Sequence, residues 1–493
     1  MNMASERMDY YFLLGILRDA SQEAIKHAYY EAAQRLHPDR NRAAGETELF
    51  LEVQRAYEVL SNPKRRAQYD ATLSREEAPS FIQYTVEYSR PNLVHLDEPQ
   101  LAYVLLEIVP LSTGEQIQAP PLNICLVLDR STSMEGEKMD VVKGAASQLM
   151  RALRPQDIFS VVAFSDRAEV IIPAAFQADR AKFENRIQMI QTGGATEIYQ
   201  GLETGLQEIR RNLNPQHVNH LILLTDGHTY GDEPACLQLA EEAARQKISI
   251  SGLGIGSDWN DIFLDALTSR TGSNSIYISR HQDIKQLLMN KFAAITNAIS
   301  EAVLLEFKPQ ENINLNFAFR LQPEGGPLTL ENPVHLGPIL RDTPLTVIFE
   351  FVILPAASKP ERVRLLDGSL KAAIAARPTP VPPLRIRFER DAADTAGDAP
   401  PPVGILRALS RLTLYRLQER AREEAQAGHY ESATRHLKNL AQHLLSQGEK
   451  ELAKTALLEA NNLEHMQALS KNGGKEIKYG TRALLLSASE EAK

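Results

Sequence analysis

Asp129, Ser131 and Ser133 stand at alternate positions directly after the apolar run LNICLVL. A turn at that point aims one carboxylate and two hydroxyls at a single spot, which suits a small hard cation such as Mg²⁺. Two further oxygen donors come from distant segments: Thr196 in QTGGATEIYQG, at the start of a helix, and Asp226 at the end of HLILLTDG. Strand ends in an open α/β sheet meet along one edge, so donors far apart in sequence converge there. A second constellation, His37-Pro38-Asp39, lies between two helical stretches, where proline restricts the backbone and a histidine and a carboxylate face solvent together. No HExxH, Cys/His cluster or Ser-His-Asp arrangement accompanies either group, so a metallohydrolase is disfavoured and no catalytic residue is assigned. The glycines of SGLGIGS form GxGxG rather than GxGxxG and read as a tight strand-end turn, so no nucleotide cofactor is assigned. Glu135, Glu197 and Asp232, near the ligand loops, read as solvated residues or specificity elements.

The elements that must position these groups follow from periodicity. SQEAIKHAYYEAAQRL has a cap in Ser21, apolar positions at helical spacing and a stop at Pro38, and ETELFLEVQRAYEVL supplies a second helix. FIQYTVEYSR and LAYVLLEIVP predict strands, over 81–118. From about 119 to 300, strand-like and helix-like text alternates, which predicts a doubly wound parallel sheet, closed by a helix over HQDIKQLLMNKFAAITNAISEA. From 301 to 390 strand-like runs without long helices predict a β-sandwich completed by the 81–118 strands, so the α/β unit is inserted in sandwich-forming sequence or flanked by it. After the linker-like DAADTAGDAPPPVG, amphipathic helices over 404–468 predict a small bundle, and the following Gly-rich stretch carries no assigned order. The fold class is therefore multidomain α+β, with a helical unit at 1–72.

Length and charge agree with this division. At 493 residues, and about 150 residues per domain, roughly three units with their own cores are expected. A net charge of −9 gives no general drive toward nucleic acid. The apolar runs are far shorter than the roughly 18 residues of a membrane span, so no membrane insertion is expected. Cys125 and Cys236 are too few for a disulfide scaffold and read as structural thiols of a reducing, cytoplasmic compartment.

DYYFLLGI, the helix ending at Leu36, HPDRN and QRAYEVLSNPKRRAQYD together resemble a J domain, the module by which DnaJ-type co-chaperones engage Hsp70. The resemblance implies that His37, Pro38 and Asp39 stimulate ATP hydrolysis by a DnaK-type partner. It also implies that Lys26, His27, Arg35 and Arg40 supply a basic docking face, interrupted by Glu23 and Glu31. No Gly/Phe-rich region or zinc module follows, so any client specificity falls to the rest of the chain.

The unbroken DxSxS of Asp129, Ser131 and Ser133, with Thr196 in GGATE and Asp226 in LLTDG, resembles the metal-ion-dependent adhesion site of von Willebrand factor A domains. That resemblance implies Mg²⁺, with Mn²⁺ or Ca²⁺ as alternatives, and a protein ligand whose acidic side chain completes the coordination. The flanking sandwich and terminal helices resemble those of multidomain bacterial von Willebrand A proteins. The expected function is a co-chaperone that brings Hsp70 to a partner held through the metal. The alternative is a metal-dependent assembly scaffold whose J domain is vestigial or tethering.

Overall fold

The computed structural model describes residues 10–16, 20–36, 46–72, 82–110, 119–176, 180–229, 231–355, 359–374 and 383–484. The chain opens with four helices, α1 (Tyr10–Leu14), α2 (Gln22–Leu36), α3 (Glu46–Leu60) and α4 (Pro63–Thr72). Ser21 starts α2 as a true cap, its Oγ accepting the Ala24 N–H at 3.1 Å. Leu13, Ile25, Leu36, Val53 and Leu60 are buried together, which is the apolar face that the helical spacing requires. Arg66 of α4 lies over the Tyr11 ring and donates to its hydroxyl at 2.8 Å, locking the last helix onto the first.

Three strands follow, β1 (Ile82–Tyr88), β2 (Leu93–Val94) and β3 (Gln100–Pro110). The chain then enters the central unit through β4 (Leu122–Asp129), which is buried along its whole length, as a parallel strand covered on both faces must be. In order come α5 (Glu137–Ala152), β5 (Ile158–Phe164), β6 (Ala168–Phe176), α6 (Arg180–Gln188), α7 (Ile198–Arg211) and β7 (Val218–Thr225). The unit ends with α8 (Glu233–Arg245), β8 (Ser249–Ile255), α9 (Asp261–Ser269), β9 (Ser275–Ile278) and α10 (Ile284–Thr296). The six strands run β6-β5-β4-β7-β8-β9, with β6 antiparallel to β5 and every other pairing parallel. One core fills each face of this sheet.

The helix expected to run on to 302 stops at Thr296, and β10 (Ala298–Lys308) begins two residues later. The β-branched and aliphatic run of β10 pairs with strands on both sides, which wins over helical periodicity. Next come β11 (Ile313–Gln322), β12 (Gly326–Pro327), β13 (Val334–Leu340), β14 (Leu345–Ile353), β15 (Arg362–Ile374) and β16 (Leu384–Ala393). They form two sheets, β1-β3-β14-β11-β12 and β13-β10-β15-β16-β2. Val104, Leu106 and Phe349 of one face Leu305, Ile386 and Phe388 of the other in a shared core, so strands before and after the α/β unit build one sandwich.

The chain closes with α11 (Val403–Gln426), α12 (Tyr430–Ser446), α13 (Lys450–Met466) and α14 (Lys471–Leu484). The Gly-rich stretch left without assigned order is thus a helix, and its partner explains why. Lys475, Lys478 and Arg482 of α14 bond the loop before α9 and the carboxylates of α9, so order comes from docking rather than from propensity. Arg416 of α11 likewise reaches Glu350 of β14 at 2.6 Å, and Lys291 of α10 holds the carboxylate of Glu324 at 2.8 Å. No helix among the described residues is long and apolar enough to cross a membrane.

Candidate functional site

The leading carboxylate is set by β4. Asp129 is its last residue and fully buried, with Oδ1 accepting the Ser131 N–H at 2.8 Å and Oδ2 accepting the Thr225 hydroxyl at 2.7 Å. Both donors are neutral, and among the described residues no cation pairs with this carboxylate. Burial therefore pushes the Asp129 carboxyl above the usual carboxylate range, against the pull of those hydrogen bonds, and the nearby Asp226 adds to the rise.

The Asp129–Ser131 bond turns the chain back on itself, bringing Ser131 Oγ and Ser133 Oγ within 3.1 Å of each other. Ser133 donates to Asp226 Oδ1 at 2.5 Å, which ties the loop after β4 to the end of β7. Thr196 comes from the third loop: a Cβ placed on Gly227 would lie 2.8 Å from its hydroxyl oxygen, so the glycine after Asp226 leaves the room Thr196 occupies. Gly193 N–H donates to Arg130 O at 2.7 Å, and Thr132 Oγ1 donates to Gly194 O at 3.1 Å, strapping this loop to the first. Gly194 takes φ +87° with the Asp166 carboxylate 2.5 Å from where a Cβ would sit, so only glycine fits there.

The structure brings Asp129, Ser131, Ser133 and Asp226 together directly and Thr196 through Gly227. Among the described residues no three His, Cys, Asp or Glu side chains converge, so this set offers two carboxylates and otherwise hydroxyls. Hard oxygen donors around a buried carboxylate that lacks a cationic partner fit a small divalent cation.

Two participants escaped the sequence. Thr225 anchors Asp129 across 96 positions, and Lys138 Nζ reaches Asp226 Oδ2 at 2.6 Å and Ser133 O at 3.1 Å. Thr225 reads as an ordinary strand residue and Lys138 as a solvated one; the only available signals were their places beside Asp226 and just after DRSTS. Asp232, read as solvated or as a specificity element, instead accepts the Tyr199 N–H at 2.9 Å and the Thr229 hydroxyl, and so satisfies the first turn of α7. In the GxGxG run, Cβ atoms on Gly252 and Gly254 would collide with Leu264 and Trp259, so these two glycines admit α9 and its preceding loop. Only Gly256, at φ +70°, is a turn glycine.

In the amino-terminal unit, Lys26 and His27 are exposed on α2, and His27 approaches Glu31 at 3.7 Å. His37, Pro38, Asp39 and Arg40 lie outside the described residues, as does the Arg35 side chain.

Comparison with known proteins divides the chain in three. The DnaJ domain model matches residues 9–70, the von Willebrand factor type A domain model residues 123–290, and the Sll0103-like C-terminal alpha-helical domain model residues 404–487. The chain thus fuses a DnaJ domain to a von Willebrand A domain and a C-terminal helical domain. The DnaJ and von Willebrand A domains are interaction and co-chaperone modules rather than catalytic ones.

An uncharacterized protein of Synechocystis is 32% identical over 231 residues, covering 45% of this chain and 55% of that protein. The chaperone protein DnaJ of Cyanothece is 56% identical over 62 residues, 13% of this chain and 17% of its own length. The chain therefore spans about half of the first relative and under a fifth of the second. Among solved structures, a von Willebrand factor type A protein from Catenulispora acidiphila aligns with TM-score 0.65 at 15% identity, over 83% of this chain and 99% of that one. An ArnB paralog, VWA2, from Sulfolobus acidocaldarius gives 0.51 at 14%, over 82% and 99%. At these identities the likeness is one of fold.

Proposed function

We propose that the protein is a co-chaperone adaptor that recruits an Hsp70-type ATPase through His37-Pro38-Asp39 to a protein bound at the Asp129 site. The observation that carries this reading is the convergence of Asp129, Ser131, Ser133 and Asp226 in a chain that also bears a DnaJ domain. Asp129, Ser131 and Ser133, with Thr196 and Asp226, would hold Mg²⁺, or Mn²⁺ or Ca²⁺ in its place. Bound there, the cation would supply a positive centre able to take an acidic side chain of the partner.

This chain's own residues do the rest. Thr225 and the Ser131 amide orient Asp129, Ser133 links the two loops, and Lys138 balances Asp226. Lys26, Arg35 and Arg40 would present the docking face to the ATPase, with no group here taking part in ATP chemistry. A cytoplasmic compartment is part of this reading, in keeping with Cys125 and Cys236 as free, buried thiols.

The test is single-turnover ATP hydrolysis by an Hsp70 of the same organism with the full chain or its His37→Gln variant. Stimulation that disappears in the variant supports the adaptor. A folded wild-type chain that gives no stimulation overturns recruitment of that Hsp70 and leaves the scaffold reading, which Glu23 and Glu31, exposed on the same helix as Lys26, favour by interrupting the basic face.

A further inference from the structure

A cavity of about 540 Å³ lies between the loop leading into α9 and the C-terminal helices, in the size range of small-molecule sites. Ala425, Leu437, Leu469 and Ile477 give it apolar walls, and Trp259 closes one side. Two polar groups on its lining have unmet demands.

The first is Lys475, only 6% exposed. Its ammonium lies 4.5 Å from the Trp259 ring centre and donates to the carbonyls of Ser257, at 2.6 Å, and Trp259. Among the described residues no carboxylate comes within ion-pair distance of it. The nearby acids are engaged elsewhere: Asp261 by Arg422 and Lys478, Asp265 by Lys478 and Arg482, and Asp258 by Lys471. Burial brings the Lys475 ammonium down to about 8, with Asp261 and Asp258 pulling the other way. An ammonium carries three donors, so one remains for a ligand.

The second is Gln418, 3% exposed, whose Oε1 is buried and accepts no hydrogen bond. A buried acceptor without a donor is costly, and a ligand that supplies one recovers that cost.

We infer that this cavity is a binding site for a small anionic amphiphile: an acidic head on Lys475, an N–H or O–H donor facing Gln418, and an apolar body against the α11, α12 and α14 walls.

Trp259, the chain's single tryptophan, stands in the cavity wall, so its emission responds to a ligand bound there. The probe is 8-anilinonaphthalene-1-sulfonate, which carries an anionic head, an N–H donor and apolar rings, titrated into the full chain with excitation at Trp259 and detection of transfer to the dye. Saturable one-to-one binding is expected, weakened at least tenfold by Ala425→Phe, which fills the space without touching Lys475, and by Lys475→Met. Decanoate is expected to displace the dye and decanol to fail. Non-saturable transfer, an affinity unchanged in Ala425→Phe, or equal displacement by decanol overturns the inference. Because Lys475→Met also removes a contact of α14, the Ala425 variant is decisive where the two disagree.

Discussion

Asp129 carries an unusual load for one side chain: a carboxylate with no exposed surface, two neutral hydrogen bonds and no cation beside it. Such a group is expensive to keep ionised, and a bound divalent ion removes the expense. Mg²⁺ at a hundredfold excess over its dissociation constant should therefore raise the stability of the wild-type chain by about 2.7 kcal/mol. Asp129→Asn should melt no lower than wild type in chelator and show no Mg²⁺ dependence; calorimetric melts with and without the ion decide this. Lys138 acts in the opposite direction, because its ammonium beside Asp226 repels an incoming cation. Lys138→Met should bind Mg²⁺ about tenfold more tightly, or about 1.4 kcal/mol, by titration calorimetry; weaker binding would make the lysine a loop anchor instead. Asp129, Ser131, Ser133, Thr196 and Asp226 were legible because two-residue spacing and strand ends are local patterns. Thr225 and Lys138 were not, because their contacts span 96 and 88 positions and only the sheet order joins them.

At the scale of elements, α9 and α14 are held by charge. Lys478 shares Asp261 with Arg422 and shares Asp265 with Arg482, all in a largely buried setting. Burial alone would raise Asp261; the Arg422 hydrogen bond and the charges of Lys478 and Arg422 outweigh it and bring the carboxyl down from 3.8 to about 2. A carboxyl lowered in the folded state lends stability that is complete above its unfolded value. That stability is lost as pH falls from about 4 toward 2, here about 2 kcal/mol. Trp259 emission followed through an acid titration should report α14 leaving α9 in that window, and Asp261→Asn should abolish that component. Asp265→Asn strands Arg482 and leaves Lys478 with Asp261 alone, and should cost about 3–5 kcal/mol in urea unfolding at neutral pH. The alternating strands and helices of the central unit were legible from uniform burial and helical spacing. The start of β10 and the order of α14 were not, since each is decided by a neighbour distant in sequence, and the packing role of Gly252 and Gly254 was not, since it depends on how α9 and its preceding loop fold back onto β8.

At the scale of the whole molecule, the proposed adaptor works only if both ends belong to one chain. The strands 82–110 and 298–393, before and after the α/β unit in sequence, build one sandwich, and Arg416 and the α14 cations fasten the helical domain to sandwich and α/β unit alike. The DnaJ domain precedes this assembly in sequence, joined to it by the segment between α4 and β1. Two sites carried on one chain present the ATPase to the bound partner at an effective concentration of order mM. Mixing His37→Gln with Asp129→Asn chains supplies both functions in solution but never on one molecule. The mixture should therefore leave ATPase stimulation intact, through the Asp129 variant, while failing to place Hsp70 on the protein captured by the His37 variant. Co-sedimentation of labelled Hsp70 with a partner isolated through the wild-type chain in Mg²⁺ measures this. Recovery of Hsp70 on that partner with the mixture, at concentrations well below mM, would mean that the two modules act independently and that their fusion serves some end other than delivery.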